Sequence, residues 1–203
     1  IANGSHVVFQ SETGTGKTFA YLLPLIQQIE NAVEDSPENL QTSSEKKSVK
    51  MIIVAPTYEL ASQIKMMIQQ ISDLKAELCI GGSPISRQIE LLKTKPAIIV
   101  GNPARIMELI HLKKIKTEQT RAIVFDEADR MIVRELRNDT TGLLSLMPPS
   151  IQFIACSATI DEKTKNIFSA ALPTKATQKE KSLANSKHSD NIAQTEKKEI
   201  KMI

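Results

Sequence analysis

Short, continuous apolar runs rich in Val and Ile recur along the chain and predict the strands of a β-sheet. They occupy residues 7–9, 51–55, 97–100, 122–125 and 153–155. Each run is too short for a helix, and none alternates between apolar and polar residues. This pattern is typical of strands that are buried on both faces of a parallel sheet.

Between these runs, apolar residues recur with the period of an α-helix. The first such set is Phe19, Leu22, Leu23 and Ile26, and the second is Leu60, Ile64, Met67, Ile68 and Ile71. Each set places its members on one helix face. The alternation of strand and helix predicts an α/β fold with an open, doubly wound parallel sheet, in which ligands bind where strands end and loops begin.

Two polar stretches fall outside this alternation. Residues 34–50 have no apolar period and are predicted to form a surface loop between the first helix and the second strand. Residues 174–203 contain few bulky aliphatic side chains and cannot bury enough apolar area to become ordered alone. The sequence therefore predicts one domain over residues 1–173, followed by a polar, Lys-rich linker or tail over residues 174–203.

Composition agrees with a globular domain rather than a membrane protein. The 203 residues are 41% hydrophobic and 24% charged, as in average globular domains. The longest apolar stretch, residues 19–26, is far shorter than the roughly 20 residues that span a bilayer. Cys79 and Cys156 lack the spacing of a metal site or disulfide framework, which favours an intracellular, cytoplasmic location. The chain begins without Met or a leader and is expected to be a piece of a longer protein.

The net charge of +3 is concentrated at the end of the chain. After residue 173 there are seven Lys and four acidic residues, so the preceding residues are neutral overall. A neutral body cannot attract nucleic acid through bulk positive potential. Any nucleic-acid partner must therefore be bound by a few specifically positioned side chains or backbone groups.

The segment between the first strand and the first helix has the composition of a phosphate-binding loop. Gly14 and Gly16 allow the backbone to turn its N–H groups inward, and the helix N-terminus adds partial positive charge. Lys17 can reach the β- and γ-phosphates, and Thr18 offers a hydroxyl to Mg²⁺, as in a Walker A motif. The predicted nucleotide-binding residues of this loop are Thr13, Gly14, Thr15, Gly16, Lys17 and Thr18.

Two features of this loop leave an alternative open. Ser11 stands where the strict Walker A pattern has Gly, and a Gly-rich loop with a Lys can also be a simple helix cap. The strand before the loop and the helix after it favour the phosphate loop.

The apolar run at residues 122–125 leads directly into the acidic tetrapeptide at residues 126–129. In this arrangement, typical of a Walker B motif, Asp126 would hold Mg²⁺ directly or through water, and Glu127 would orient and deprotonate the attacking water. Lys17, Asp126 and Glu127 are the predicted catalytic residues, and Thr18 and Asp126 the predicted metal ligands. A solvated helix cap is the alternative, because Asp is a favoured N-cap residue.

With these motifs, the sequence resembles the first RecA-like domain of the DEAD-box RNA helicases. Asp-Glu-Ala-Asp at 126–129 spells the family name, and Pro-Thr-Tyr-Glu-Leu-Ala at 56–61 is similar to its PTRELA segment. Gly-Gly at 81–82, Asn-Pro-Ala-Arg at 102–105 and Ser-Ala-Thr at 157–159 are similar to its GG, TPGR and SAT motifs. The resemblance covers about residues 3–173. It implies ATP-dependent remodelling of RNA, with ATP and Mg²⁺ as cofactors.

The resemblance also implies where the ligands lie. ATP would occupy the phosphate loop and the acidic strand end. Ser157 and Thr159 would belong to the same nucleotide-binding site and would couple it to RNA through hydrogen bonds to the acidic motif. The residues implied to contact the RNA backbone are Pro56, Thr57, Tyr58, Gly82 and Arg105. Independently, residues 56, 101, 126 and 157 each follow a predicted strand, so their loops should gather on one edge of the sheet. For Ser157 and Thr159, a capped turn that opens the next helix is the alternative.

Three positions depart from the family motifs. Tyr58 replaces an Arg and so removes a bidentate phosphate donor, which predicts weaker RNA binding. Tyr58 could equally pack at a helix start, since Tyr is amphipathic. Asn102 and Ala104 replace Thr and Gly, whereas Arg105 keeps its charge for a phosphate contact.

The family implies two parts that this chain does not contain. An adenine-reading Q motif is expected before residue 1, and a second RecA-like domain, which supplies an arginine finger, is expected after the tail. An arginine finger contributes about 10³- to 10⁵-fold in rate, so the chain alone should hydrolyse ATP very slowly and should not unwind a duplex. Two other functions stay open: a P-loop ATPase that acts on DNA or protein, and a non-catalytic helicase half that binds RNA or a protein partner.

Overall fold

Six strands form one parallel sheet within residues 1–12, 14–34, 48–160 and 162–171, which are the residues that the computed structural model describes. In chain order the strands are β1 (Val7–Gln10), β2 (Met51–Val54), β3 (Ala76–Cys79), β4 (Ile98–Gly101), β5 (Ala122–Asp126) and β6 (Gln152–Ser157). Their order across the sheet is β1-β6-β5-β2-β4-β3, and every pairing is parallel. The parallel sheet predicted from the apolar runs is confirmed.

Seven helices connect or follow these strands in the same part of the chain. They are α1 (Lys17–Glu34), α2 (Tyr58–Ile71), α3 (Ile85–Leu92), α4 (Pro103–His111), α5 (Ala128–Met131), α6 (Arg134–Ser145) and α7 (Glu162–Ala171). None of these helices is long and apolar enough to cross a bilayer. Thr13, most of the predicted loop at residues 34–50 and the predicted tail lie outside the described residues.

The helices cover both faces of the sheet, as a doubly wound fold requires. The buried apolar residues of α1 and α2 pack on one face with strand residues such as Ile53 and Val124. Phe19 and Leu23, predicted on the apolar face of the first helix, are exposed. The apolar residues of α3, α4, α6 and α7 pack on the other face. There Phe125, Phe153 and Phe168 form a cluster with ring centroids 5.2–5.6 Å apart. The predicted doubly wound architecture is therefore confirmed.

The strands at the two edges differ from the sequence prediction. β1 pairs with β6 alone among the described strands, and its residues are half-buried or exposed rather than buried on both faces. β3, at the opposite edge, was not predicted because its four residues include a charge. Glu77 of β3 is accommodated by an ion pair with Lys65 of α2 at 2.8 Å. Edge strands have one unpaired side and tolerate polar residues that a central strand would exclude.

The sheet order divides its carboxyl edge into two adjacent groups of loops. The loops that follow β1, β6 and β5 are neighbours, and we call them the first sector. The loops that follow β2, β4 and β3 are also neighbours, and we call them the second sector. Ligands of open parallel sheets bind outside the carboxyl ends of the strands. The two sectors are therefore the two neighbouring regions of this edge where ligands are expected.

Replacing Gly101 by Ala is expected to destabilise the fold. A Cβ at Gly101, the last residue of β4, would lie 1.8 Å from the carbonyl oxygen of Cys79 in β3. Because that neighbour is backbone, the two strands must separate, which costs about 1–3 kcal/mol or more of unfolding free energy. Urea denaturation measures this loss.

Gly142→Ala is the matched control for Gly101→Ala. Its Cβ would meet the flexible end of Met107 at 3.0 Å inside helix α6, where Ala is preferred over Gly by roughly 1 kcal/mol. Equal stability of the two variants would contradict the tight approach of β3 and β4.

Candidate active site

The loop between β1 and α1 turns at two glycines. Gly14 and Gly16 have φ angles of +82° and +85°, in the left-handed region that Gly enters without steric cost. A Cβ at either position would meet no atom within 4 Å, so the backbone conformation, not lack of space, calls for Gly. Thr13, also predicted to bind nucleotide, lies outside the described residues.

Lys17 lies folded back across this loop. Its side chain is almost fully buried, with 8% of the residue exposed, and Nζ donates a hydrogen bond to the carbonyl oxygen of Ser11 at 2.8 Å. The ammonium group is therefore held beside the turn of the loop and has donors left for an anion.

Ser11 serves as a brace at the position where the strict motif has Gly. It is not among the described residues with positive φ, so the backbone there does not require Gly. Its hydroxyl is hydrogen-bonded to the hydroxyl of Thr15, which donates to the carbonyl oxygen of Glu12 at 2.7 Å. The N–H of Ser11 donates to the carbonyl oxygen of Ser157 at 3.0 Å, which ties the loops after β1 and β6 together.

Asp126 is the buried centre of the first sector. Only 2% of the residue is exposed, and both carboxylate oxygens accept hydrogen bonds. Oδ2 accepts from the hydroxyl of Tyr21 at 2.9 Å and from that of Thr18 at 3.4 Å. Oδ1 accepts from the N–H of Glu127 at 3.0 Å and from the thiol of Cys156 at 3.2 Å. The end of β5 thus meets the first turn of α1 directly.

The sequence patterns did not single out Tyr21 and Cys156, because each occupies a core position of its element. Burial and the adjacent Asp126 raise the pKa of Tyr21 well above its ordinary value. Burial and Asp126 also raise the pKa of the Cys156 thiol. Both groups therefore remain protonated at neutral pH and act as donors toward the carboxylate. The one sequence signal for Tyr21 is its spacing from Lys17 and Thr18, which places all three on one side of α1.

Thr18 and Asp126 form a ligand set that suits Mg²⁺. Mg²⁺ is usually held by one or two carboxylates together with water and substrate phosphates, rather than by an all-protein cage. One hydroxyl and one carboxylate beside a phosphate-binding loop fit this description. Within the residues that the structure describes, no group of three or more His, Cys, Asp or Glu could hold a metal ion alone. The residues present thus fit a metal that arrives with phosphates.

Glu127 has a different environment from its neighbour Asp126. Its backbone is left-handed, with φ 56° and ψ 52°, and this residue turns the end of β5 into helix α5. Its carboxylate is half-buried and lies 3.4 Å from the guanidinium of Arg130. The two adjacent carboxylates therefore differ in access, because that of Asp126 is buried and that of Glu127 is partly open to solvent.

Ser157 and Thr159 contact the last acid of the motif. Ser157 Oγ accepts a hydrogen bond from the N–H of Asp129 at 3.2 Å, and the Thr159 hydroxyl donates to Asp129 Oδ2 at 2.6 Å. Partial burial opposes ionisation of Asp129, but hydrogen bonds to its carboxylate from the side chains of Thr159 and Ser157 and from the backbone of Arg130 and Thr159 outweigh it and lower its pKa. Asp129 is therefore a stable anion that joins the loops after β5 and β6.

The second sector begins with the loop after β2. Pro56 is half-buried, and Thr57 caps helix α2 by accepting a hydrogen bond from the N–H of Leu60 at 3.3 Å. Tyr58 is 55% exposed, and no described ring packs against it. The residue is therefore accessible to a ligand. Gly82, in the loop after β3, has a φ of +85°, which favours Gly.

Arg105 is less free to bind a phosphate than its charge suggests, because its guanidinium is bonded within the protein. Its side chain is 14% exposed, Nη1 donates to the carbonyl oxygen of Ser83 at 3.0 Å, and Nε lies 3.0 Å from Glu108. It braces the loop after β3 against helix α4. Asn102, which replaces the Thr of the family motif, keeps a capping role because its Oδ1 accepts from the N–H of Arg105 at 3.1 Å.

Comparison with known proteins shows what this arrangement is similar to. The model of the DEAD/DEAH box helicase family matches residues 1–167. The chain is 36% identical over 171 residues to the probable ATP-dependent RNA helicase YfmL of Bacillus subtilis, covering 83% of this chain and 42% of that protein. It is 32% identical over 165 residues to the ATP-dependent RNA helicase eIF4A of Chaetomium globosum, covering 80% and 38%.

A solved structure is similar to the fold over the same region. The crystal structure of a DEAD box protein from the hyperthermophile Methanococcus jannaschii matches with a TM-score of 0.71 and 28% sequence identity. The match covers 84% of this chain and 44% of that one. The chain thus spans about two fifths of the length of the relatives that it matches.

Proposed function

Since this chain belongs to the DEAD/DEAH box helicase family, we propose that it is the first RecA-like domain of an ATP-dependent RNA helicase. The proposal is supported most directly by one contact between the phosphate loop and the acidic strand end. The hydroxyl of Thr18 donates a hydrogen bond to Oδ2 of Asp126 at 3.4 Å. A P-loop ATPase needs these two elements in contact, because together they would hold the metal that accompanies the phosphates of the nucleotide.

In this proposal the first sector binds ATP. Thr13, Gly14, Thr15 and Gly16 are proposed to bind the nucleotide through the backbone N–H groups of the loop, and the Lys17 ammonium to hold the phosphates with them. Thr18 and Asp126 would hold Mg²⁺, which when bound neutralises the charge that develops on the phosphates. Glu127 orients the attacking water and accepts its proton.

The second sector is proposed to contact the RNA backbone through Pro56, Thr57, Tyr58, Gly82 and Arg105. Exposed Tyr58 offers a hydroxyl and a ring on which a base can stack. The guanidinium of Arg105 already contacts Ser83 and Glu108. We therefore expect its replacement to disturb the positions of the loops at least as much as it weakens phosphate binding.

If bound ATP is to change the affinity for RNA, the first sector must be structurally coupled to the second. Asp129 is hydrogen-bonded to Ser157 and Thr159 within the first sector. We propose that these bonds transmit the state of the nucleotide to the loops that bind RNA.

The complete activity is proposed to need more than this chain. A second RecA-like domain would supply an arginine finger and close over the ATP, and a preceding Q motif would contact adenine.

The two cysteines are free and buried, which supports an intracellular, cytoplasmic location.

ATP hydrolysis by this chain joined to a second RecA-like domain tests the proposal. The rate is measured without nucleic acid, with single-stranded RNA and with DNA of the same sequence, each at two salt concentrations. We expect RNA alone to stimulate hydrolysis, and stimulation to fade with salt because phosphate contacts release counterions. Equal stimulation by DNA, or none by RNA, would favour an ATPase that acts on DNA or protein. Binding without hydrolysis would favour a non-catalytic helicase half.

A further inference from the structure

We propose that Tyr21 and Cys156 are positioning residues that hold the carboxylate of Asp126 in place for Mg²⁺. This inference rests on the proposed function, in which Asp126 is a metal ligand, and assigns a role to two residues outside the helicase motifs described above. Tyr21 belongs to helix α1 and Cys156 to strand β6, so the carboxylate at the end of β5 is held from two neighbouring elements.

The contacts are placed so that each side chain holds a different oxygen. The Tyr21 hydroxyl donates to Oδ2 of Asp126 at 2.9 Å, and the Cys156 thiol donates to Oδ1 at 3.2 Å. Tyr21 and Cys156 are fully buried. A pair of donors on opposite oxygens opposes rotation of the carboxylate about its Cβ–Cγ bond. A buried carboxylate also needs such donors, because an ion without partners in an apolar interior is strongly unfavourable.

These two donors matter most when the metal is bound. Thr18 donates to Oδ2 of Asp126 in this structure, but as a metal ligand it must direct an oxygen lone pair toward the cation. The side-chain donors on Asp126 that have no role as ligands are then Tyr21 and Cys156. Oδ1 accepts from both the Cys156 thiol and the N–H of Glu127, so its two lone pairs are engaged. Oδ2 accepts from Tyr21 and, once Thr18 turns to the metal, keeps one lone pair free for the cation or its bound water.

Packing alone does not account for the hydroxyl of Tyr21. Phe would fill nearly the same volume against the core formed by α1 and the sheet, without bringing a polar group into it. The hydroxyl is satisfied by its hydrogen bond to Asp126 at 2.9 Å. Hydrogen-bond partners of metal-ligating residues typically change metal affinity by about 10- to 100-fold when removed.

Tyr21→Phe in the 203-residue chain tests this role. Binding of a fluorescent ADP analogue is followed as Mg²⁺ is added, and again in EDTA without metal. We expect the half-saturating Mg²⁺ concentration to rise about tenfold, with metal-free affinity unchanged. Thr140→Val is the matched control, because it removes another buried hydroxyl, bonded to the carbonyl oxygen of Met131 at 3.0 Å, and should leave the Mg²⁺ dependence unchanged.

The cysteine supplies an independent pair of variants. Cys156→Ala removes the donor and should raise the half-saturating Mg²⁺ concentration, whereas Cys156→Ser keeps a donor and should restore most of the affinity. Cys79→Ala is the control, since Cys79 is also a buried thiol at a strand end but makes no contact with Asp126 among the described interactions. If Tyr21→Phe does not fold, the Cys156 variants decide the matter by the same criteria.

The outcomes separate this inference from the function on which it rests. Mg²⁺-dependent binding that is the same in wild type, Tyr21→Phe and Cys156→Ala would overturn the positioning role and leave the proposed function standing. Equal weakening with and without metal would also overturn it, because that result describes a structural role. Wild-type chain that binds the nucleotide with no Mg²⁺ dependence would overturn the proposed function and this inference together.

Discussion

Replacing Glu127 by Gln is expected to lower the rate of ATP hydrolysis by about 10²- to 10⁴-fold, the usual contribution of a general base. The amide keeps the size of the side chain but cannot accept the proton of water. Nucleotide affinity should change little, because Asp126 and Lys17 are untouched and the Arg130 contact is exposed. Single-turnover hydrolysis by the chain joined to a second RecA-like domain, together with nucleotide titration, measures both effects.

The control for Glu127→Gln is Glu135→Gln, which removes an exposed carboxylate from the first turn of α6. It should leave hydrolysis unchanged. A Glu127→Gln variant that hydrolyses ATP at the wild-type rate would remove Glu127 from the chemistry. Loss of nucleotide binding in that variant would assign Glu127 to binding instead.

Replacing Lys17 by Met should weaken nucleotide binding by 2–5 kcal/mol, which is roughly 30- to 4,000-fold in Kd. Met retains much of the aliphatic length that lies buried in the loop. It lacks the ammonium group, which donates to the carbonyl oxygen of Ser11 and is proposed to bind the phosphates. Calorimetric titration with Mg²⁺ and ADP or ATP measures the change.

Lys65→Met provides the comparison for the Lys17 variant. Lys65 is half-buried and forms an ion pair with Glu77 at 2.8 Å, but it lies on α2 away from the loop. Its loss should cost some stability and leave nucleotide affinity unchanged. Similar affinities of the Lys17→Met variant and the wild-type chain would mean that the loop does not bind phosphate.

The central part of the sheet could be predicted because its strands carry their signal locally. β2, β4, β5 and β6 are buried along their whole length, and unbroken apolar runs reflect that. β3 escaped prediction because Glu77 interrupts its pattern, and its partner Lys65 is twelve residues away on a helix. An edge strand whose charge is compensated from another element has no local signature.

The sequence predicted the site residues that lie at or directly after the end of a strand. The residues of the phosphate loop and the acidic motif were expected at one edge of the sheet, and the parallel order of the strands is the reason that Thr18 and Asp126 lie together. The hydrogen bond of Tyr21 depends on how α1 is rotated against β5, which periodicity does not specify. Likewise, the sequence shows the charge of Arg105 but not the carbonyl of Ser83 that engages it.

Nucleotide is proposed to bind to the first sector, and hydrogen exchange of the 203-residue chain measures whether it does. Exchange is compared with and without Mg²⁺ and a non-hydrolysable ATP analogue, in the absence of RNA. We predict slower exchange at residues 11–18, 126–129 and 157–159, and little change at residues 56–58, 81–83 and 102–105. Protection that appears in the second sector but not in the first would contradict the account.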